Sequence, residues 1–445
     1  MPEIASSPAS TLTPAKTARQ RTDTLTSIWM IIAVAMAIVT LVVKNRMPQP
    51  LWTMIHLVTL GVLSNGIFQW SWFFARSLAR LPADDPRARR HNTIRILIFN
   101  ACFLLLFVSM WLGWMVGTMI AATGIAAVAA WHGAEMLSVL RERLASRFVI
   151  VVRYYVCSAS FFVLAALLAG FVTTTMFSSS IPEALLAMRD RLTLAHALSG
   201  VAGWVGLTIG GTVITLGPTI LRTRMSSDAV SWGVRVLLPW CLSLLLAIAG
   251  ALLGVMPLVG AGILAVGTCA IVGIVYPYAK VLRNKGPREY SAWSFLLGLL
   301  WISVGVCALG VASLFVSTPS QLRALTLMWL PIIGIAGFAQ LFQGALSYLM
   351  PVVIGGGPSV VRIGIAIIDW QYSLRLGLRN SALILELFLF FTSEIPSVHV
   401  LRMAGWFLVI ATFVIDVVIY AKTGVTQARA RRARSETLSE SRQVQ

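Results

Sequence analysis

The 445-residue chain is poor in charge. Only 11% of its residues are Asp, Glu, Lys or Arg, where a soluble domain carries about a quarter. Acidic residues are the scarcest, 16 against 35 Lys and Arg, which leaves a formal net charge of +19. A chain this lean in charge cannot cover a soluble surface. With 58% hydrophobic residues and a mean hydropathy of +0.84, it is neither an ordinary soluble enzyme, nor disordered, nor fibrous. Cysteine is sparse too. Cys102, Cys157, Cys241, Cys269 and Cys307 are scattered through apolar stretches with no C-x-x-C pair. They read as lipid-facing or packing residues, so neither a disulfide framework nor a thiolate metal site is expected. There is no G-x-x-x-x-G-K-[ST] and no G-x-S-x-G, which removes the usual signs of a nucleotide-driven pump.

What the chain does have is apolar length. A hydrocarbon core about 30 Å thick needs roughly 20 apolar residues in helix. Twelve such runs occur, near 24–43, 51–76, 94–114, 116–140, 148–176, 192–219, 234–254, 258–282, 292–316, 323–350, 380–394 and 397–421. Helices are expected, because runs this long satisfy their backbone in lipid only as helices. The fold class is therefore all-α, a polytopic membrane protein of about 12 spans. The first run is span-length and no small-residue cleavage pattern follows it, so it is expected to stay as a span. Residues 1–23, rich in Ser, Thr, Ala and Pro, are expected to form a disordered tail. Residues 422–445 form a basic tail that fits topology signalling and contact with anionic lipid. Between runs ten and eleven, Gly355-Gly356-Gly357-Pro358 ends a span, and Val360–Leu378 reads as an interfacial helix.

The positive charges sort by side. If both tails and the even-numbered connections share one side, that side holds 29 of the 35 Lys and Arg, counted along the sequence. Only Lys44, Arg46, Arg189, Arg191, Arg323 and Arg402 fall opposite. The positive-inside rule then places both termini in the cytoplasm of a bacterial plasma membrane. The basic balance is a topology signal, and nucleic acid is not an expected partner. Thirty Arg against five Lys fits a bacterium of high GC content.

Few polar groups remain inside the spans, and such groups mark functional sites by default. His56, His132 and His196 lie in spans 2, 4 and 6, all running from outside to inside. His56 and His196 share a depth, roughly 7 Å below the outer interface at 1.5 Å per residue. Two imidazoles at equal depth could share a metal or face a haem. Alternatively, each hydrogen-bonds a neighbouring helix and nothing more. His132 is deeper, in Trp131-His132-Gly133-Ala134-Glu135. His91, in a basic loop, reads as solvated. Glu135, Glu386 and Asp416 are intramembrane carboxylates that could carry protons or a cation. Glu135 and Asp416 lie near a cytoplasmic end, where snorkelling to water is the simpler account. Gln340 and Gln343 in span 10 suit helix bridging better than ligand binding. Glycines 203, 206, 210 and 211 fit close helix packing. His56, His196 and Gln340 each lie four spans beyond the last, which suggests three arcs of four helices.

Twelve spans, internal termini, a polar residue every four spans and a His in spans 2 and 6 resemble subunit I of the haem-copper oxidase superfamily. In that family the span-2 His ligates a low-spin haem and the span-6 His binds copper. His56 and His196 match these positions. Ile55-His56-Leu57-Val58-Thr59-Leu60-Gly61 and Leu194-Ala195-His196-Ala197-Leu198-Ser199-Gly200 also resemble the NnrS membrane proteins. A similar pattern marks an actinobacterial group of oxidase-like membrane domains, some of them joined to copper nitrite reductase or multicopper oxidase domains. There it reads like Ala195-His196, then Gly203-Trp204-Val205-Gly206-Leu207-Thr208, Pro218 to Arg222-Thr223-Arg224-Met225, and Gln343-Gly344-Ala345-Leu346-Ser347-Tyr348-Leu349-Met350-Pro351. The likeness spans about residues 50–390.

The resemblance implies haem or copper as cofactor, held by His56 and His196. It implies work in electron delivery, copper handling or nitric oxide defence, with a copper-containing redox protein as partner. The chain departs from the oxidase pattern where spans 7 and 10 lack histidine, and from the actinobacterial group where Leu198 stands at the position of a second span-6 His. A complete terminal oxidase or nitric oxide reductase centre is therefore not expected. A permease using His132, Glu135, Gln340 and Gln343, for example in copper import, is the alternative. A membrane assembly subunit without metal is a third.

Overall fold

The computed structural model describes residues 28–29, 31–33, 35–36, 39, 49–143, 149–177, 182–223, 227–284, 286–390 and 396–443. Among the described residues the chain is helical, with no β-strand. Ten helices are long and apolar enough to cross a membrane. They are α1 Pro50–Leu78, α2 Arg87–Leu112, α3 Met115–Glu142, α4 Ile150–Phe177, α5 Glu183–Ile220, α6 Asp228–Leu253, α7 Met256–Arg283, α8 Tyr290–Ser313, α9 Pro319–Ile354 and the body of the last helix, Val398–Thr437. The protein is an all-α, multi-pass membrane protein. The expected disordered tail 1–23 and most of the first apolar run lie outside the described residues.

Two boundaries differ from the sequence reading. The expected interfacial helix 360–378 is broken. A short helix α10, Pro358–Ile368, stops at Asp369, and α11 runs Tyr372–Phe390. Gln371 sits at φ 47° in the break, and Asp369 Oδ1 accepts the backbone N–H of Tyr290 at 2.8 Å. The eleventh helix therefore begins eight residues before the expected 380 and contains Arg375 and Arg379. An apolarity count places arginines in water. Here they are buried, because a buried carboxylate meets them. Residues 391–394 of that expected span are outside the described residues.

The basic segment after residue 421 is not a detached tail. It continues the last helix, α12, which runs Pro396–Gln443. Its side chains cap the end of α9. Gly355, Gly356 and Gly357, at φ 70°, 98° and 86°, turn the chain where the last carbonyls of α9 lose their helical partners. Gln427 Nε2 donates to Pro351 O at 2.7 Å, Arg431 to Ile354 O at 2.8 Å and Arg434 to Gly356 O at 2.8 Å. Cations at a helix C-terminus also complement its dipole.

Contacts divide the chain into two units: residues up to 215 with 233–262 and 314–320, and residues 216–232, 263–313 and 321 onward. In the first, α3 packs along α2 and α4, over fully buried Phe68, Phe99, Phe103, Trp72 and Trp204. In the second, α8 and α9 cross backbone on backbone. A Cβ on Gly298 would lie 2.3 Å from Leu341 N, and one on Gly344 would lie 2.4 Å from Phe295 N. Without a hydrophobic drive between helices in lipid, small residues at a crossing supply the close packing that holds them. Gly298→Leu is expected to force the helices apart and to cost at least about 1–3 kcal/mol as overpacking. Thermal unfolding in detergent would show it, and an unchanged transition would contradict this account.

One local feature recurs. α1, α5 and α9 each contain a long run of wide π-helical turns, Leu57–Ser64, Leu198–Gly206 and Ile332–Ala339. Such turns are rare and cluster at functional sites. His56 immediately precedes the first run, His196 lies two residues before the second, and Gln340 immediately follows the third.

Candidate functional site

His56 and His196 come together in the first unit. Their ring centroids are 6.1 Å apart and their planes differ by 14°. Each ring is fixed through Nδ1. His56 Nδ1 lies 2.9 Å from Trp52 O, one turn back on α1, and His196 Nδ1 lies 2.8 Å from Ala165 O on α4. A carbonyl can only accept, so both Nδ1 atoms carry the hydrogen. In the neutral ring this leaves each Nε2 as a bare lone pair. Neither Nε2 has a hydrogen-bond partner among the described residues. Trp52 stacks on His56 with centroids 4.3 Å apart and holds its plane.

The local fold explains how the two rings meet. The π-helical run after His56 loosens the backbone bonding, and side chains take over the carbonyls. Ser64 Oγ donates to Thr59 O at 2.8 Å, and Asn65 Nδ2 to Gly61 O at 2.8 Å. Trp204, in the corresponding run of α5, donates through Nε1 to Ser64 Oγ at 2.9 Å. This bond ties α1 to α5 on the side of the histidines that leads toward the far ends of both helices. Asn65 and Asn100 pair reciprocally, Nδ2 of Asn100 to Oδ1 of Asn65 at 2.7 Å, and so tie α1 to α2.

His132 does not join the pair. It is fully buried on α3, edge-on to Phe68, Trp72 and Trp204. Its Nε2 lies 3.4 Å from Ser71 Oγ, and its Nδ1 has no hydrogen-bond partner among the described residues. Aromatic rings from α1 and α5 pack against this imidazole.

Glu135 does not snorkel freely. It forms an ion pair with Arg95, which is fully buried on α2, and its Oε1 lies 2.7 Å from His91 Nδ1. Trp131 Nε1 donates to the same oxygen at 2.9 Å. His91, expected in solvent, is thus half of a carboxylate pair. Arg95 also lies over the rings of Trp72 and Trp131, at 5.0 and 5.3 Å. Beside this group Arg87 binds Asp85 at 2.8 Å and Glu142 at 2.6 Å. The Arg87 hydrogen bonds hold the Asp85 carboxyl, in the turn before α2, below the usual carboxylate range.

Gln340 and Gln343 bridge helices in the second unit, as the sequence reading expects. Asn380 Nδ2 donates to Gln340 Oε1 at 3.0 Å, and Gln340 Nε2 donates back to Asn380 Oδ1 at 3.2 Å. Gln343 Oε1 accepts from Arg379 at 2.9 Å and from Tyr290 Oη at 3.1 Å. Asp416, expected to snorkel, is fully buried at the centre of this network. It pairs with both Arg375 and Arg379 and accepts from Tyr290 Oη at 2.7 Å. Sequence reasoning passed over Arg375, Arg379 and Tyr290. The signal was present, because Arg375 and Arg379 are four apart and share a helix face. Glu386 is nearly buried, with Oε2 3.3 Å from Arg402 Nε.

Among the described residues no group of three or more His, Cys, Asp and Glu could hold a metal ion. The His56–His196 pair is a two-nitrogen arrangement with backbone-fixed rings. It can offer two neutral ligands to one ion. No family model, curated protein or solved structure matches the chain.

Proposed function

We propose that this membrane protein holds one metal centre between His56 and His196, and that the metal is copper. The parallel imidazoles carry the proposal. A proton shared between two ring nitrogens draws them to about 2.8 Å and puts the ring centroids roughly 5 Å apart. One metal ion at about 2 Å from each nitrogen puts them roughly 6 Å apart. The centroid distance of 6.1 Å supports the metal. Nδ1–H bonded to a backbone carbonyl is the usual outer-shell arrangement of a metal-binding histidine, since it fixes tautomer and ring plane. Two neutral imidazoles with no carboxylate or thiolate beside them suit a low-coordinate cuprous ion better than a divalent one, whose charge they leave uncompensated. Haem iron with the same axial pair would give the same spacing, but a copper ion asks only for the gap between the rings.

Bound copper would supply a one-electron centre or a cargo site near the outer face, with both termini cytoplasmic. The protein would then handle copper or pass electrons to a copper-containing redox protein. What the chain itself does is hold the two rings parallel, keep both Nδ1 protons on carbonyls and present two lone pairs. The permease reading loses support from its own residues. Glu135, Gln340 and Gln343 are committed to neighbouring helices.

The test is metal analysis with optical spectroscopy on the purified full-length chain. One copper per chain is expected, with no Soret band. His56→Ala and His196→Ala together should remove it, and either alone should weaken binding by more than about 100-fold, beyond the usual loss for outer-shell changes. A doubly substituted protein that keeps its copper would overturn the proposal, as would a wild-type chain that takes up none. A Soret band lost with either histidine would reassign the pair to haem.

A further inference from the structure

Trp52, the ring stacked on His56, has a second aromatic neighbour. It meets Phe107 of α2 with centroids 6.2 Å apart. Phe107 in turn lies 5.2 Å from Trp111, one turn further along α2. His56, Trp52, Phe107 and Trp111 thus form an unbroken file, each spacing within the roughly 4.5–7 Å of aromatic rings in contact. Trp111 Nε1 donates to Thr53 Oγ1 at 3.0 Å, which ties the far ring to the residue after Trp52. Among the described residues His196 has no ring neighbour besides His56, so the file leads one way. It ends at the surface. Trp111 is 37% exposed, and Leu112 and Trp114 beside it are 73% and 49% exposed. Gly113, at φ 67°, turns the chain there from α2 into α3. Trp114 folds over Gly117, where a Cβ would lie 2.2 Å from its ring. Between Arg95 and Glu135 the chain carries no Asp, Glu, Lys or Arg, so the turn is an uncharged, indole-rich patch. Tryptophan at a helix end suits a membrane interface, but an interfacial anchor needs no file of rings leading to a histidine.

We propose, on the copper reading of the histidine pair, that this file is the electron route of the site. An electron leaves at His56, crosses Trp52, Phe107 and Trp111, and passes to a redox protein docked on the α2–α3 turn. The partner that fits is one with an apolar patch over its own redox centre, because the turn offers apolar surface and no charge. The step balances simply. Cu(I) gives up one electron and becomes Cu(II), and the partner's one-electron centre is reduced. No bond forms or breaks and no proton moves, since Trp111 Nε1 keeps its hydrogen on Thr53 throughout. Tunnelling weakens steeply with the gap between carriers. Rings in contact leave short gaps, and their π orbitals couple better than saturated side chains. A site that only held copper as cargo would have no use for such a file. The route turns the site from a store into a one-electron relay whose outlet is Trp111.

The test separates route from site. The purified full-length chain in detergent is loaded with Cu(I) without oxygen, and its copper content and Cu(I) affinity are measured. It is then mixed with hexacyanoferrate(III), and the Cu(II) formed is followed by electron paramagnetic resonance. Trp111→Leu should bind one Cu(I) with wild-type affinity and be oxidised several-fold more slowly. Trp111→Phe, which keeps a ring in the file, should stay near the wild-type rate. Trp293→Leu, at an exposed tryptophan of the second unit, should change neither binding nor rate. Equal oxidation rates in the leucine and phenylalanine variants of Trp111 would overturn the route and leave the copper site standing. A Trp111→Leu chain that no longer binds Cu(I) would make Trp111 a structural support and overturn the route as well. A wild-type chain that takes up no Cu(I) would bring down the copper reading and the route together.

Discussion

Asp416→Ala should destabilise the protein more than any other single substitution considered, by about 3–5 kcal/mol or somewhat beyond. The reason is one of count. Asp416 is fully buried and is the shared partner of two buried arginines, Arg375 and Arg379. Removing it leaves two guanidinium groups in the interior with no counter-charge. Arg379 keeps Gln343 Oε1 and Thr412 Oγ1, and Arg375 keeps the carbonyls of Ile368 and Trp370. Those are neutral acceptors, and they do not offset a buried charge. The rings of Tyr290, 4.6 Å from Arg375, and Phe413, 4.0 Å from Arg379, add a cation–π share, of about 2 kcal/mol where desolvated, which does not replace a counter-charge. The sharper check is non-additivity. Exchanging all three charged residues for apolar ones of similar volume removes the charges along with their partners, so it should cost clearly less than Asp416→Ala alone. Unfolding of each variant in detergent would decide. A loss below about 1 kcal/mol for Asp416→Ala would mean that water reaches the cluster.

The second large effect is expected at Glu135→Ala. Arg95 is fully buried, and its Nε has no hydrogen-bond partner among the described residues. Glu135 is its counter-charge and also the partner of His91 and Trp131. Its loss should cost about 3 kcal/mol, the lower end of the range for breaking a buried pair. It is placed below Asp416 for two reasons. Only one buried arginine is orphaned, and the Glu135 side chain is already 13% exposed, so some water can take its place. Arg95→Met on top of Glu135→Ala should recover part of the loss, because the uncompensated charge goes with it. If the double variant were worse than the single one, packing of Arg95 on Trp72 and Trp131 would outweigh its charge.

Much of this architecture was open to sequence reasoning because lipid leaves the chain few options. An apolar run of span length must be a helix, and nine consecutive runs, the second to the tenth, reappear as α1 to α9 with ends between one and nine residues away. The failures share one cause. Arginine was counted as a mark of water. That count shortened α11, turned Arg375 and Arg379 into interfacial charges and made the end of α12 a tail. Hydropathy scores each residue alone, whereas the cost of burying an arginine depends on what lies opposite it. Asp416 is 37 positions from Arg379, and only packing sets them face to face.

The candidate site divides in the same way. By itself the sequence determined that the chain is built of membrane-spanning helices, and it set His56 and His196 at comparable places in two of them. Those follow from periodicity and length, which are properties of the chain alone. Only the tertiary structure decided that the two rings lie parallel and that their Nδ1 atoms face carbonyls. It alone set His132 in an aromatic cage. Side-chain partners come from helices distant in sequence, and their choice rests on shape and hydrogen-bond complementarity between surfaces that no local pattern encodes.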